Sequence, residues 1–103
     1  MSVAVVRYRT KPDRADENQA LVEKVFAELD GNRPAGLRYA TFRLADGVGF
    51  VHLAETEEGH NPLADVEAFA RFQDGIRERC AQPPTVTELH EVGSYRFHGE
   101  GRR

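Results

Sequence analysis

The stretch Leu37-Arg38-Tyr39-Ala40-Thr41-Phe42-Arg43-Leu44-Ala45-Asp46-Gly47-Val48-Gly49-Phe50-Val51-His52-Leu53-Ala54-Glu55-Thr56 reads as two strands around a tight turn. Asp-Gly between two runs of apolar and β-branched residues predicts a two-residue type I′ hairpin. With Ala45 opposite Val48, Thr41 falls opposite His52 and Tyr39 opposite Ala54. One face then carries Ala40, Phe42 and Leu44 against Leu53, Val51 and Gly49, and is wholly apolar. The other carries Tyr39, Thr41 and Arg43 against Ala54, His52 and Phe50, and is aromatic and polar together. A slip of one residue would exchange the faces, so the pattern is informative only in this register.

On either side of the hairpin lie a strand and a helix pattern. Ser2 to Thr10 is rich in β-branched residues and predicts a strand, ended by Lys11-Pro12-Asp13. Asp13 or Asp16 is placed to cap a helix whose Leu21, Val22, Val25, Phe26 and Leu29 share one face. Gly31 is the expected C′ residue of that helix, with Pro34 beyond it. Downstream, Asn61 before Pro62 predicts a second helix start, and a helix is expected over 63–81. Its apolar stripe is Val66, Phe69, Ala70, Ile76 and Cys80, with Phe72 at the edge and Arg77-Glu78-Arg79 on a solvated face. Thr85 to Phe97 reads as a last, long strand with a bend at Gly93. The order β-α-β-β-α-β is that of an α+β, ferredoxin-like domain: an antiparallel four-stranded sheet with two helices on one face. A single domain is expected over 2–98, followed by a flexible tail over 99–103.

Two helices cover only one sheet face, so the other must meet solvent or a second subunit. The aromatic-polar face is expected to be the open one, exposing Tyr39, Phe50 and Tyr95 in a monomer and favouring a homodimer.

Composition narrows the function. The chain has 103 residues and a formal net charge of −3, against a dedicated nucleic-acid binder. Its single cysteine, Cys80, excludes an internal disulfide and any multi-cysteine zinc site. No apolar run is long enough for a membrane span, and the start Met1-Ser2-Val3-Ala4 lacks a signal-peptide pattern. A soluble cytoplasmic protein is expected. The four histidines form no sequence-local metal motif, and Gly47-Val48-Gly49 has no phosphate-loop context.

His52 is the leading chemical candidate. Thr41 sits opposite it, with Arg43 and Tyr39 on the diagonals. A histidine there can take a phenolic proton, Arg43 can hold the resulting anion, and Tyr39 completes the polar set. His60, before the second helix, and His90, on the last strand, come next. Each has a plainer reading as a solvated or interface residue, and Cys80 reads as a small buried hydrophobe.

The opening Val-Val-Arg-Tyr-Arg-Thr-Lys-Pro, the hairpin Arg-Tyr-Ala-Thr-Phe-Arg-Leu-Ala-Asp-Gly and the ending Gly-Ser-Tyr-Arg-Phe resemble antibiotic biosynthesis monooxygenase-like proteins of the dimeric α/β-barrel superfamily. The resemblance spans residues 2–98 and is architectural. It implies two sheets packed face to face across a homodimer. It also implies either cofactor-free oxidation of polyketide-like aromatics or haem binding and degradation. Active members use a Trp with an Asn, or a haem-ligating His late in the second helix. This chain has no Trp and no His over 63–81, so the fold and dimer carry over and no catalytic residue does. The expected function is a cofactor-independent monooxygenase acting on an aromatic or quinol-like small molecule, with no metal, flavin or haem. The alternative is a non-catalytic ligand-binding or accessory dimer.

Overall fold

The structure is a computed structural model and describes residues 2–57 and 59–97; the tail expected over 99–103 lies outside the described residues. The elements are β1 (Ser2–Thr10), α1 (Ala15–Asn32), β2 (Leu37–Arg43), β3 (Gly49–Thr56), α2 (Glu67–Gln73), α3 (Ile76–Arg79) and β4 (Cys80–Leu89). The sheet order is β2-β3-β1-β4, antiparallel throughout, with the two main helices on one face. This is the ferredoxin-like α+β arrangement.

The hairpin register is the expected one: Thr41 pairs with His52 and Tyr39 with Ala54. Its turn is different. Leu44 N–H donates to the Gly49 carbonyl at 2.8 Å, and Gly47 N–H to the Leu44 carbonyl at 2.9 Å. The loop therefore has four residues, and only Gly47 takes positive φ, at 84°. A type I′ turn would need a second such residue at Asp46. Asp46 instead turns its carboxylate inward, accepting from Val48 and Gly49 N–H at 3.0 and 2.9 Å and pairing with Arg9 at 2.7 Å.

The first helix starts through a 3₁₀ turn at Pro12–Arg14, so neither Asp13 nor Asp16 caps it. It runs past Gly31, and Arg33 takes the left-handed position, donating its N–H to the Leu29 carbonyl. The second helical region departs most from expectation. It is a 3₁₀ turn at Pro62–Asp65, then α2, then a break at Gly75 with φ 80°, then the single turn of α3. Asn61 caps the 3₁₀ turn through Leu63 N–H. The Glu28 carboxylate of α1 reaches across to accept from Glu67 and Ala68 N–H, closing the N-terminus of α2. The last strand starts at Cys80 and ends at Leu89, earlier at both ends than expected. It carries Pro83-Pro84 because it is an edge strand whose pairing with β1 is irregular there.

The core corrects the assignment of faces. Tyr8, Phe50 and His52 lie under the helices, packed with Val22, Val25, Val66 and Phe72. The aromatic-polar face is thus the helix-covered one, and Tyr39 and Phe50 are not exposed as expected. The apolar face, with Phe42 at 38% and Leu44 at 42% exposure, is the open one. Hydrogen bonds within the core make this choice workable, because buried polar atoms are tolerated when each finds a partner. Ala70 proves exposed and Phe72 central, and Arg79, expected in solvent, is buried.

Candidate functional site

Five polar side chains meet under the helices. Tyr8 of β1 and His52 of β3 point the same way because Tyr8 pairs with Phe50 and Val6 with His52. Asn18 enters from α1, one turn before Val22, on the buried side of that helix. Arg79 enters from the end of α3, and Tyr39 from β2. Asn18, Arg79 and His52 are 0%, 2% and 4% exposed.

The bonds run in one line. Arg79 Nε donates to Asn18 Oδ1 at 3.0 Å, and Asn18 Nδ2 donates to the Tyr8 hydroxyl at 2.9 Å. The Tyr8 hydroxyl lies 2.8 Å from His52 Nε2. On the other side of the ring, Nδ1 lies 2.7 Å from the Tyr39 hydroxyl and 3.0 Å from Thr41 Oγ1. Arg79 is also held by the Phe72 and Asp74 carbonyls at 2.6 and 3.2 Å, and lies over the Phe72 ring. No ion pair joins it to a carboxylate among the described residues.

Aromatic rings wall the line. Tyr8 stacks on Phe50 with centroids 5.5 Å apart, Phe26 stacks on Tyr39 at 5.1 Å, and Phe72 lies 5.3 Å from His52. Burial lowers the His52 pKa to about 4 and raises that of Tyr39 to about 12; the Tyr8 phenol is pushed up further, also by burial. At neutral pH the imidazole and both phenols are therefore uncharged.

Of the residues singled out in the sequence, the structure joins His52 and Tyr39 and keeps Arg43 apart. The Arg43 guanidinium is spent on Gly47 O, Asp16 and Gln19, tying the hairpin to α1. His60 and His90 are exposed, on the loop before the 3₁₀ turn and just past β4. Tyr8, Asn18 and Arg79 escaped sequence reading. Asn18 had left a signal: it continues the Val22 and Val25 stripe by one turn toward the N-terminus, a polar residue on an apolar face. Arg79 stands likewise three positions after Ile76.

Two surface grooves flank the core. One, of about 230 Å³, runs between the end of α1 and β2, along Phe26, Leu29, Arg33, Leu37 and Tyr39. The other, of about 430 Å³, is edged by Arg7, Arg9, Leu44, Val51, Gln82 and Thr85 and opens beside the uncovered sheet face. Neither is lined by His52. Among the described residues, no group of three His, Cys, Asp or Glu side chains converges to hold a metal ion. Among the described residues, too, no helix is long and apolar enough to cross a membrane.

Solved structures share this architecture. A Nitrosomonas europaea protein provisionally named an antibiotic biosynthesis monooxygenase superposes with a TM-score of 0.71 at 16% identity, covering 88% of this chain and 89% of that one. A crystal structure of an antibiotic biosynthesis monooxygenase gives 0.66 at 22% identity, covering 90% and 100%. The Mycobacterium tuberculosis protein Rv0793 gives 0.64 at 22% identity, covering 91% and 98%. The chain has the fold of these proteins. No family model matches it, and no curated protein does.

Proposed function

We propose that this chain is a cofactor-independent monooxygenase that works as a homodimer on an aromatic or quinol-like small molecule. The buried pair His52 and Tyr39 forms its polar centre. The observation that carries this reading is the buried imidazole, 2.7 Å from the hydroxyl of a tyrosine that also lines a groove. The names of the structural neighbours point the same way.

The chemistry asks for few protein groups. The substrate loses one proton, from the ring CH2 of its keto form or from the hydroxyl of its enol tautomer. The enolate that results has carbanion character at a ring carbon that keeps one hydrogen. The carbanion gives electrons to dioxygen and a C–O bond forms. The proton is then returned to the peroxide oxygen. The resulting hydroperoxide loses water as the remaining C–H proton leaves, and a carbonyl results. One oxygen atom enters the product and the other departs as water, with all electrons drawn from the oxidised carbon. The protein's task is to hold the ionised substrate away from bulk water. In this reading Arg43 holds the hairpin to α1 and does not touch substrate.

A non-catalytic ligand-binding or accessory dimer is the second reading. It is favoured by the full engagement of both His52 ring nitrogens and by the separation of His52 from either groove. Oxygen uptake with dihydroxyaromatic and anthrone-type compounds decides between them. The oxygenase reading expects isotope-labelled oxygen in the product and loss of turnover in His52→Ala. Tight binding of such a compound without oxygen uptake establishes the second reading.

A further inference from the structure

We infer that Arg79, Asn18 and Tyr8 are positioning residues that set the direction of the buried hydrogen-bond line. They hold His52 in the tautomer with its proton on Nδ1 and leave the Tyr39 hydroxyl as the last donor of the line, on a residue that also lines a groove. The inference deepens the reading above: its functional part rests on the oxygenase assignment, and its structural part does not.

The direction follows from donor and acceptor chemistry, beginning at the closed end. A guanidinium has donors and no acceptor. Arg79 Nε faces Asn18 at 3.0 Å, so the amide must present its oxygen there. The amide nitrogen then faces the Tyr8 oxygen at 2.9 Å and can only donate to it. The single Tyr8 proton is left for His52 Nε2, 2.8 Å away. Nε2 is therefore the bare nitrogen, and a neutral imidazole carries its proton on Nδ1. That proton is donated to the Tyr39 oxygen at 2.7 Å, shared with Thr41 Oγ1 at 3.0 Å. The hydrogen of Tyr39 is not used on His52.

The reverse direction fails at one place. If His52 donated from Nε2 to Tyr8, the hydroxyl oxygen would accept from both Asn18 and His52, and its own buried proton would be left without an acceptor in the line. The Asn18 oxygen cannot relieve this, because Arg79 holds it.

The consequence reverses the simplest role for His52. A line that starts at a buried cation and passes donor to acceptor four times ends on a donor. It stabilises an oxyanion and does not withdraw a proton through Nε2. The substrate class is then an acidic hydroxyarene or enol, recognised in its ionised form by Tyr39.

The test is nitrogen-15 NMR of the His52 ring in the ligand-free wild-type protein at neutral pH. Nitrogen shifts of a protonated Nδ1 and a bare Nε2 are expected; a protonated Nε2, or an imidazolium, overturns the inference. Asn18→Asp supplies a second reading. Its carboxylate can only accept, from Arg79 and from Tyr8 alike. Tyr8 must then accept from His52, and the two nitrogen shifts should exchange. A folded Asn18→Asp protein with the wild-type pattern overturns the inference. If that variant does not fold, the wild-type spectrum alone decides. The Nδ1–H form in a protein that consumes no oxygen removes the oxygenase reading and leaves the direction of the line intact. Oxygen uptake by a protein protonated at Nε2 does the opposite.

Discussion

His52 links the buried site to the stability of the fold. Its pKa is about 4 in the folded protein, lowered by burial, against roughly 6.5 in an unfolded chain. Between those values the unfolded chain binds a proton that the native state refuses, so stability falls as pH drops from about 6.5 toward 4 and levels off above 7. The loss amounts to about 3 kcal/mol as an order of magnitude. Urea midpoints measured between pH 7.5 and 4.5 should show this slope, and His52→Asn should flatten it. An equal slope in both proteins would show that another group governs acid unfolding. Arg79 makes a second case. Its fork holds the Phe72 carbonyl, the Asp74 carbonyl and Asn18 together, so Arg79→Met strands three acceptors and should cost roughly 2–4 kcal/mol. Arg79→Lys should restore little of it, because an ammonium cannot span the fork. Denaturation midpoints of the two variants within error of wild type would contradict this. At this scale the sequence showed His52 and Tyr39 and hid their partners. The pairing register puts Tyr39 and His52 on one face from local pattern alone. Tyr8, Asn18 and Arg79 join them only through the packing of elements distant in sequence.

The hairpin shows how a register can be legible while the turn that closes it is not. Asp46-Gly47 marked the reversal correctly, and the alternating strands on either side fixed the pairing. The loop nonetheless opened to four residues, because the Asp46 carboxylate satisfies Val48 and Gly49 N–H and draws in Arg9. Those bonds hold its pKa down at about 2, the backbone donors contributing most. Gly47→Val tests the turn. A Cβ there would meet nothing nearby, so its cost is that of φ 84° alone. For a β-branched residue in the left-handed region that is about 1–2 kcal/mol, seen as a lower thermal midpoint with an unchanged fold; an unaltered midpoint would mean that the loop readjusts freely. The second helical region was less legible for a related reason. Apolar spacing continues through Asp74-Gly75, and periodicity cannot register a left-handed glycine that breaks the helix. Pro83-Pro84 likewise signalled the end of a helix, whereas an edge strand accommodates both prolines.

At the scale of the whole molecule, the element order and the sheet topology were readable, and the choice of covered face was not. By hydropathy alone the wholly apolar face was the natural match for the helices, which left the aromatic-polar face for solvent or an interface; the structure has the two the other way round. What settles the matter is polar satisfaction: Tyr8, Asn18 and Arg79 provide His52 with a closed set of partners under the helices, which the sequence does not display. The consequence is a sheet face bearing Val5, Ala40, Phe42, Leu44, Val51 and Leu53 with no helix over it. An apolar surface of this kind costs free energy in water and is relieved by a second copy. A stable interface buries about 800 Å² per partner, an area that one face of a four-stranded sheet can supply. We therefore expect a homodimer joined through this face, with the groove beside Arg7 and Val51 closed by the partner. Val51→Asp places a carboxylate at its centre on an inner strand without touching the helix-covered core. Arg7 lies opposite position 51 and can pair with the new carboxylate. A dimer would then have to bury a charged pair where Val51 supplied apolar contact, and such a pair is costly to desolvate. The variant should remain folded by circular dichroism and run as a monomer in light scattering, where the wild type runs as a dimer. A wild-type monomer at micromolar concentration would exclude the dimer, and a dimer that survives Val51→Asp would place the interface elsewhere, the exposed Val92 and Tyr95 beyond β4 being the next apolar surface.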